Sequence, residues 1–287
     1  MNLTSAVAIG LTIVLWASAF VGIRAALVDY NPYHLAIVRY VIASLTLVPI
    51  AIVKRIRFPR LSEIPHFFVL GLLGFTIYNF ALNIGEMTIS AASACFIINT
   101  IPIMTAIISF FFLGERIRLV GWMGMLLSLG GIGLIAFGEG KSGLSFNTGS
   151  LLILVAAVCS SVYFVWQKPL LQRYASLEVV CYVIWLGTIA MLPGAGGVGR
   201  TLASASLSST LAVAYLGVFP AVVAYFCWSS VLARMPASRA ASFLYIVPLV
   251  TIVIGYVWLN EVPTILSFLG GLIVVSGVFI VNTYGKG

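Results

Sequence analysis

The sequence predicts an all-α integral membrane protein with ten transmembrane helices arranged as two inverted five-helix repeats. Three observations predict this fold: charged residues are scarce, apolar segments of similar length recur, and the second half repeats the first at a fixed spacing. Of the 287 residues, 62% are hydrophobic and only 8% are charged, and the mean hydropathy is +1.16. Soluble domains carry about 25% charged residues, so this composition excludes a water-soluble globule.

Ten apolar segments have roughly the 20-residue length with which a helix crosses a bilayer. We predict spans 1 to 10 near residues 4–26, 33–53, 65–86, 90–113, 118–137, 149–171, 177–193, 209–232, 238–259 and 264–284. The connections are short, and residues 194–208 are rich in Gly, Ala and Ser, which predicts a flexible surface loop. Ala17-Ser18-Ala19 resembles a signal-peptidase site, but residues 1–5 carry no basic residue, so we expect span 1 to be retained.

The basic residues divide unequally between the two membrane faces. Ten spans place both termini on one face, which then carries eleven of the 15 Lys and Arg residues; the other face carries Arg24, Arg39, Lys141 and Arg200. Basic residues collect in cytoplasmic loops, so both termini are expected in the cytoplasm. The same bias accounts for the net charge of +8 without nucleic acid as a partner.

The two halves align without a gap at an offset of 146 residues, with 71–134 matching 217–280. Because each half holds five spans, an odd number, the second half must insert upside down, as in many transporters built from repeats. We expect the repeats to occupy residues 1–140 and 141–287. The identical pairs include Gly71/Gly217, Phe80/Phe226, Ala94/Ala240, Pro102/Pro248, Thr105/Thr251, Glu115/Glu261, Gly124/Gly270 and Gly131/Gly277.

Five of the repeated or polar residues are candidates for a hinge or gate. Pro102 and Pro248 lie in the middle of spans 4 and 9, where a proline frees a carbonyl and kinks a helix, so they are either hinges or packing kinks. Glu115 and Glu261 follow the same spans and are either interfacial caps or gate latches. Glu86, near the end of span 3, is the best candidate proton carrier.

Polar side chains inside the spans are the candidates for substrate contact. Asn79, Asn83 and Glu86 share one face of span 3, where they either bond other helices or line a pathway, since lipid exposure would be costly. Asn99 and its repeat mate Tyr245 lie one turn from the prolines. Spans 1, 3, 4, 6, 8 and 9 are expected to line a central cavity, while the glycine-rich spans 5 and 10 pack outside it.

Aromatic rings with a few amides and hydroxyls would suit a neutral or zwitterionic, partly apolar solute, although each residue could equally serve ordinary packing. The candidate substrate-binding residues are Trp16, Ser18, Tyr78, Asn79, Asn83, Phe96, Asn99, Ser161, Tyr163, Tyr225, Phe243 and Tyr245.

The sequence lacks the residues that metal binding, ATP hydrolysis and enzyme catalysis usually require. The two histidines lie near span ends, and no Walker A motif occurs, so we predict no metal, no cofactor and no ATPase subunit as partner. The histidine placement also argues against an integral-membrane enzyme. The four cysteines lie in apolar runs and are expected to be packing residues. Transport down the solute's own gradient and proton antiport both remain open.

The motifs together resemble the drug/metabolite transporter (DMT) superfamily, whose members carry two EamA-type domains. The matching residues include Trp16-Ala17-Ser18, Leu113-Gly114-Glu115 and Asn260-Glu261, together with the prolines and glycines already named. Within the superfamily the chain is most similar to the YddG-type exporters of aromatic and other amino acids. The resemblance implies an amino-acid exporter of the bacterial inner membrane that works by alternating access in the lipid bilayer. The alternatives are a carrier for another small metabolite or drug, such as an amine or a nucleotide sugar, and, less favoured, a channel or an enzyme.

Overall fold

The computed structural model describes residues 3–87, 96–138, 148–259 and 264–285. Within them, each predicted span is helical, and the boundaries agree with the prediction to within a few residues. The first residues predicted for span 4, 90–95, lie outside the described residues. The spans comprise Leu3–Ala26 (1), Pro32–Lys54 (2), Leu61–Glu86 (3), Phe96–Leu113 (4), Leu119–Gly138 (5), Thr148–Leu171 (6), Ser176–Gly194 (7), Leu207–Leu232 (8), Ala237–Leu259 (9) and Ile265–Tyr284 (10).

The helices have the length and composition of membrane spans. Among the described residues, nine are long and apolar enough to cross a bilayer, and the remaining one, Leu119–Ile135, is a shorter apolar helix. Large apolar side chains such as Phe111, Phe268 and Phe279 are exposed on the outer surface, as lipid-facing residues should be. The predicted fold class, an all-helical multi-pass membrane protein, is therefore confirmed.

Local sequence signals set several of the helix ends. Asn31 precedes span 2, and its side-chain oxygen accepts a hydrogen bond from the His34 N–H at 2.8 Å, while Pro32 fills the first helical position. Thr264 caps span 10 in the same way. Span 4 ends at Leu113 and is followed by Gly114, whose φ of 65° is the left-handed conformation that glycine adopts without strain.

The helices form two compact units, and each unit contains spans from both repeats. Unit 1 comprises Met1–Asn83 and Trp166–Arg234, so it holds spans 1, 2, 3, 7 and 8. Unit 2 comprises Ile84–Val165 and Met235–Gly287 and holds spans 4, 5, 6, 9 and 10. Repeat-equivalent spans 2 and 7, 3 and 8, 4 and 9, and 5 and 10 therefore share a unit, whereas spans 1 and 6 do not.

In unit 2, spans 5 and 10 pack through glycines. A Cβ added to Gly131 would lie 2.7 Å from the carbonyl oxygen of Gly270, and one added to Gly124 would lie 2.8 Å from that of Gly277. These distances are too short for a real side chain, so only glycine permits the contact. Residue numbers rise along one helix as they fall along the other, so the pair is antiparallel.

In unit 1, the repeated glycines Gly71 and Gly217 have matching roles. A Cβ on Gly71 of span 3 would lie 2.6 Å from the Gly187 nitrogen of span 7. A Cβ on Gly217 of span 8 would lie 2.7 Å from the Arg39 carbonyl oxygen of span 2. Each repeat thus brings the backbone of its third span against the second span of the other repeat.

Pro102 and Pro248, predicted to lie in the middle of helices, instead lie near the start of helical segments. Pro102 and Pro248 do not interrupt continuous helices, because each is the second residue of a new helical segment, Ile101–Leu113 or Val247–Leu259. At that position the missing N–H has no helical partner to lose. The break lies just before each proline, as a turn at Asn99 in span 4 and as a 3₁₀ segment in span 9.

Two further features differ from the sequence prediction. Residues 194–208, predicted as a flexible loop, contain the helix Val198–Ser204, and Thr201 of this helix lies 2.7 Å from His34 Nδ1. Spans 3 and 8 each contain a π-helical segment, Leu72–Ile77 and Phe219–Ala224, at nearly equivalent positions of the repeat. Such segments are uncommon and often lie at functional sites.

Candidate functional site

Aromatic side chains of unit 1 form a continuous row across spans 1, 8, 3 and 2. The ring of Trp16 lies 5.2 Å from that of Tyr225, which lies 4.8 Å from Phe75, which in turn lies 5.2 Å from Tyr40. We call these four residues the aromatic row. Tilted and edge-to-face contacts at such distances are favourable for aromatic pairs. Phe75 lies within the π-helical segment of span 3, and Tyr225 directly follows the π-helical segment of span 8.

The two asparagines of span 3 use their amides for contacts within unit 1. Asn79 is 1% exposed, and its Nδ2 donates to the Phe75 carbonyl at 2.7 Å and to the Tyr40 hydroxyl at 3.2 Å. Asn83 is also buried and donates to the Pro32 carbonyl at 3.1 Å. Its Oδ1 accepts no hydrogen bond from the described residues. Both amides thus face protein, and Asn79 adjoins the aromatic row.

The remaining candidates of unit 1 also lie on spans 1 and 3. Trp16 Nε1 donates to the Pro220 carbonyl at 3.4 Å, and Pro220 belongs to the π-helical segment of span 8. The Ser18 hydroxyl lies 2.6 Å from that of Tyr215. Tyr78, beside Asn79, is partly exposed. Two members of the aromatic row, Trp16 and Tyr225, are among the residues predicted from the sequence, as is Asn79, whose amide bonds to the other two members, Phe75 and Tyr40.

In unit 2, two polar candidates, Asn99 and Ser161, lie near the break in span 4. Asn99 is buried in the turn that interrupts this span. The Ser161 hydroxyl of span 6 donates to the Ala157 carbonyl at 2.8 Å and to the Ile101 carbonyl at 3.2 Å, which ties span 6 to the restart of span 4. Tyr163, also on span 6, is fully buried.

Phe96, Phe243 and Tyr245 pack against the pair of glycine-rich helices. All three contact the apolar cluster that includes Ile132 of span 5 and Val274 of span 10. Tyr245 is fully buried, and its hydroxyl forms no hydrogen bond with any described residue. Packing explains the rings of these residues, but it leaves the Tyr245 hydroxyl without a protein partner in the part of the chain that the structure describes.

Glu115 caps the start of span 9. Its carboxylate accepts hydrogen bonds from the Ala237 N–H at 2.8 Å, the Ser238 N–H at 3.0 Å and the Ser238 hydroxyl at 2.7 Å. A carboxylate suits this position because the first N–H groups of a helix have no partner within the helix. Its repeat mate Glu261 lies outside the described residues. Glu86 is partly buried at the last position of the helix Tyr78–Glu86.

Arg39 is a buried cation, and its position differs from the prediction that it belongs to a membrane face. It lies seven residues inside span 2 and is only 7% exposed. Its guanidinium carbon lies 5.4 Å from the centre of the Tyr40 ring, and its Nε bonds to no described residue. The sequence does contain a signal for this buried position. Arg39 follows Pro32, the first residue of the span, by seven residues, which is about 10 Å along a helix at 1.5 Å per residue.

Asp29 is a charged residue outside the spans, and its carboxylate holds a loop contact. Asp29 lies between spans 1 and 2, and hydrogen bonds from Ser206 and Ser209 hold the pKa of its carboxyl below the usual range. Among the described residues, no three His, Cys, Asp or Glu side chains come together in a way that could hold a metal ion.

Ten apolar helices in two repeats, with aromatic and amide side chains inside, define a multi-pass membrane transporter. The EamA-like transporter family model matches residues 3–137 and 147–283. The chain therefore belongs to the EamA-like transporter family, a family of the DMT superfamily, as the sequence motifs suggested.

Known relatives extend over nearly the whole chain. One is an uncharacterized transporter, YdfC, of Bacillus subtilis, 44% identical and covering 93% of this chain and 87% of its own. A probable terminal-alkyne amino-acid exporter of Streptantibioticus cattleyicolor is 35% identical, and the match covers 98% of this chain and 95% of the exporter. An uncharacterized inner membrane transporter, YedA, of Escherichia coli is 24% identical, and the match covers 95% of this chain and 88% of YedA. A crystal structure that is 19% identical has the same fold, with a TM-score of 0.82, and the match covers 98% of this chain and 99% of the other.

Proposed function

We propose that this protein exports neutral amino acids, aromatic ones among them, from the bacterial cytoplasm by alternating access. The observation that carries the proposal is the aromatic row with the Asn79 amide beside it. A row of rings favours apolar side chains, while an amide can bond the polar groups of a solute. The candidate substrate-binding residues predicted from the sequence are the proposed contacts. The foremost are Tyr78, Asn79, Asn99, Tyr163, Tyr225 and Tyr245.

The named relative supports this substrate class. The Streptantibioticus protein is 35% identical over nearly its full length and is named as a probable exporter of a terminal-alkyne amino acid. An amino acid with an extended apolar side chain fits the same combination of rings and polar groups. The word exporter in that relative's name supports transport out of the cytoplasm.

We also propose that both termini lie in the cytoplasm and that the membrane is the bacterial inner membrane. The excess of Lys and Arg on the termini side supports this orientation, and the relative YedA is named as an inner membrane transporter. A carboxy-terminal green fluorescent protein fusion should fluoresce, and a carboxy-terminal alkaline phosphatase fusion should be inactive. The opposite pair of results would reverse the orientation.

The proposed activity is tested with the purified full chain in proteoliposomes. A panel of radiolabelled amino acids, amines and a nucleotide sugar is assayed with and without a pH gradient. We expect counterflow of neutral amino acids, and stimulation by the gradient would identify proton antiport. Transport of an amine or of the nucleotide sugar alone would contradict the proposed substrate class.

The proposed contacts are tested on the same preparation with Asn79→Ala and Asn99→Ala. We expect at least one of them to raise KM for the transported amino acid. Asn282→Ala is the matched control, because Asn282 of span 10 donates to Ser242 and Val278 and is not a proposed contact. If neither Asn79→Ala nor Asn99→Ala changes transport of any solute, the assignment of the binding residues is wrong.

A further inference from the structure

Arg39 is costly where it lies unless something compensates its charge. A guanidinium carries five N–H donors and stays charged inside proteins, and charged residues within spans are rare and commonly functional. Arg39 is 7% exposed, its Nε has no hydrogen-bond partner among the described residues, and no described carboxylate lies within 4.0 Å of it. Among the described residues, the guanidinium has one interaction, the contact with the face of the neighbouring Tyr40 ring.

The acidic residues of unit 1 have other partners. Asp29 accepts hydrogen bonds from Ser206, and Glu63 pairs with Arg173 at 2.7 Å. Glu178 accepts from the backbone N–H groups of Arg57 at 2.8 Å and of Ala175 at 2.8 Å. Within the described part of unit 1, the protein therefore supplies no anion for Arg39.

Arg39 also adjoins the proposed substrate contacts of unit 1. Tyr40, whose ring the guanidinium overlies, is the end of the aromatic row and accepts the hydrogen bond from Asn79. An amino acid whose carboxylate met Arg39 could direct its side chain toward the rings of Tyr40 and Phe75. The cation, the amide and the rings then match the three parts of one solute.

From this arrangement we infer that Arg39 binds the carboxylate of the transported amino acid. The inference rests on the proposed function and adds the group by which the solute is selected. A guanidinium fork matches a carboxylate in two parallel hydrogen bonds, which a lysine ammonium does not reproduce. The transporter should therefore prefer amino acids to the corresponding amides and amines, which lack the anion.

The experiment compares three solutes that share a phenethylamine skeleton and differ in the group at its α-carbon: L-phenylalanine, L-phenylalaninamide and phenethylamine. Each is assayed by proteoliposome transport with the wild-type chain, Arg39→Gln, Arg39→Lys and the control Arg173→Gln. Arg173 suits the control because it is an exposed arginine whose partner, Glu63, lies outside the aromatic row. Thermal unfolding of each purified variant accompanies the assay.

We expect the wild type to transport phenylalanine with a KM about 10- to 100-fold below that of either analogue, the usual effect of losing a charged hydrogen bond. Arg39→Gln should raise the KM for phenylalanine by a similar factor and leave the KM for the amide nearly unchanged. Arg39→Lys should recover only part of the loss, and Arg173→Gln should behave as wild type.

Two results would overturn the inference while leaving amino-acid export intact. One is a wild type that transports phenylalanine and its amide equally well. The other is an Arg39→Gln variant that is folded and changes both KM values by the same factor, which is the behaviour of a structural residue. Should Arg39→Gln fail to fold, Arg39→Lys carries the assignment to Arg39, and a wild type with no preference for phenylalanine still overturns the inference. A wild type that transports no amino acid overturns the proposed function and this inference together.

Discussion

The Ser128 hydroxyl donates a hydrogen bond to the carbonyl oxygen of Val274 at 3.2 Å, and the two residues are 146 positions apart in the chain. That separation is the offset of the sequence repeat, so the bond joins equivalent positions of spans 5 and 10. The contacts of Gly124 with Gly277 and of Gly131 with Gly270 lie on either side of it. Unit 2 therefore has a local two-fold relation in which each repeat presents the same surface to the other.

Substitutions in this glycine contact should destabilise the protein. A Cβ at Gly131 would lie 2.7 Å from a backbone oxygen, whereas one at Gly130 meets nothing within 4 Å. We expect Gly131→Ala to lower the free energy of unfolding by about 1–3 kcal/mol, the usual cost of overpacking. Gly130→Ala should be neutral or stabilising, because alanine favours helix by about 1 kcal/mol over glycine. Thermal unfolding in detergent measures both, and equal effects would contradict the close contact.

The cap at the start of span 9 should contribute measurably to stability. Glu115→Ala removes the acceptor of three hydrogen bonds from Ala237 and Ser238, and we expect a loss of about 1–2 kcal/mol in unfolding free energy. Arg173→Ala serves as the comparison, because it removes an exposed ion pair that is worth at most about 1 kcal/mol. A Glu115→Ala variant as stable as wild type would show that water replaces the cap.

Two tyrosine hydroxyls should respond differently to removal. Tyr40 accepts a hydrogen bond from Asn79, so Tyr40→Phe should cost about 1 kcal/mol of unfolding free energy. The buried Tyr245 hydroxyl bonds to no described residue, so Tyr245→Phe should leave stability unchanged or raise it. If Tyr245 also contacts substrate, as proposed, the same variant raises KM. A loss of stability equal to that of Tyr40→Phe would contradict the structural assignment.

The loop contact of Asp29 should make stability depend on acid pH. Hydrogen bonds from Ser206 and Ser209 lower the pKa of Asp29 in the folded chain. Their contribution is complete above the unfolded pKa, about 3.9, and is lost as the pH falls through the lower folded value. Between pH 7 and pH 3 the wild type should therefore lose more thermal stability than Asp29→Asn. Parallel curves for the two proteins would show that the carboxylate contributes nothing.

Much of the fold could be predicted because its determinants are local or periodic. Apolar length defined the spans to within a few residues, since a bilayer requires about 20 apolar residues whatever their order. The glycines of spans 5 and 10 were expected to pack closely, because only a residue without a side chain allows two helix backbones to meet. Two members of the aromatic row, Trp16 and Tyr225, were identified from their residue type and span.

By itself, the sequence determined the class of protein, the ten helices and the repeat that relates them, because hydropathy and a fixed spacing are properties of the chain alone. Only the tertiary structure decided the partners: Glu115 with Ser238, 123 residues later, and Asn79 with Tyr40. The tertiary structure also showed that Arg39, which the sequence placed at a membrane face, is buried. Such contacts depend on how helices distant in the chain are rotated against one another, and residues with the same hydropathy allow many rotations.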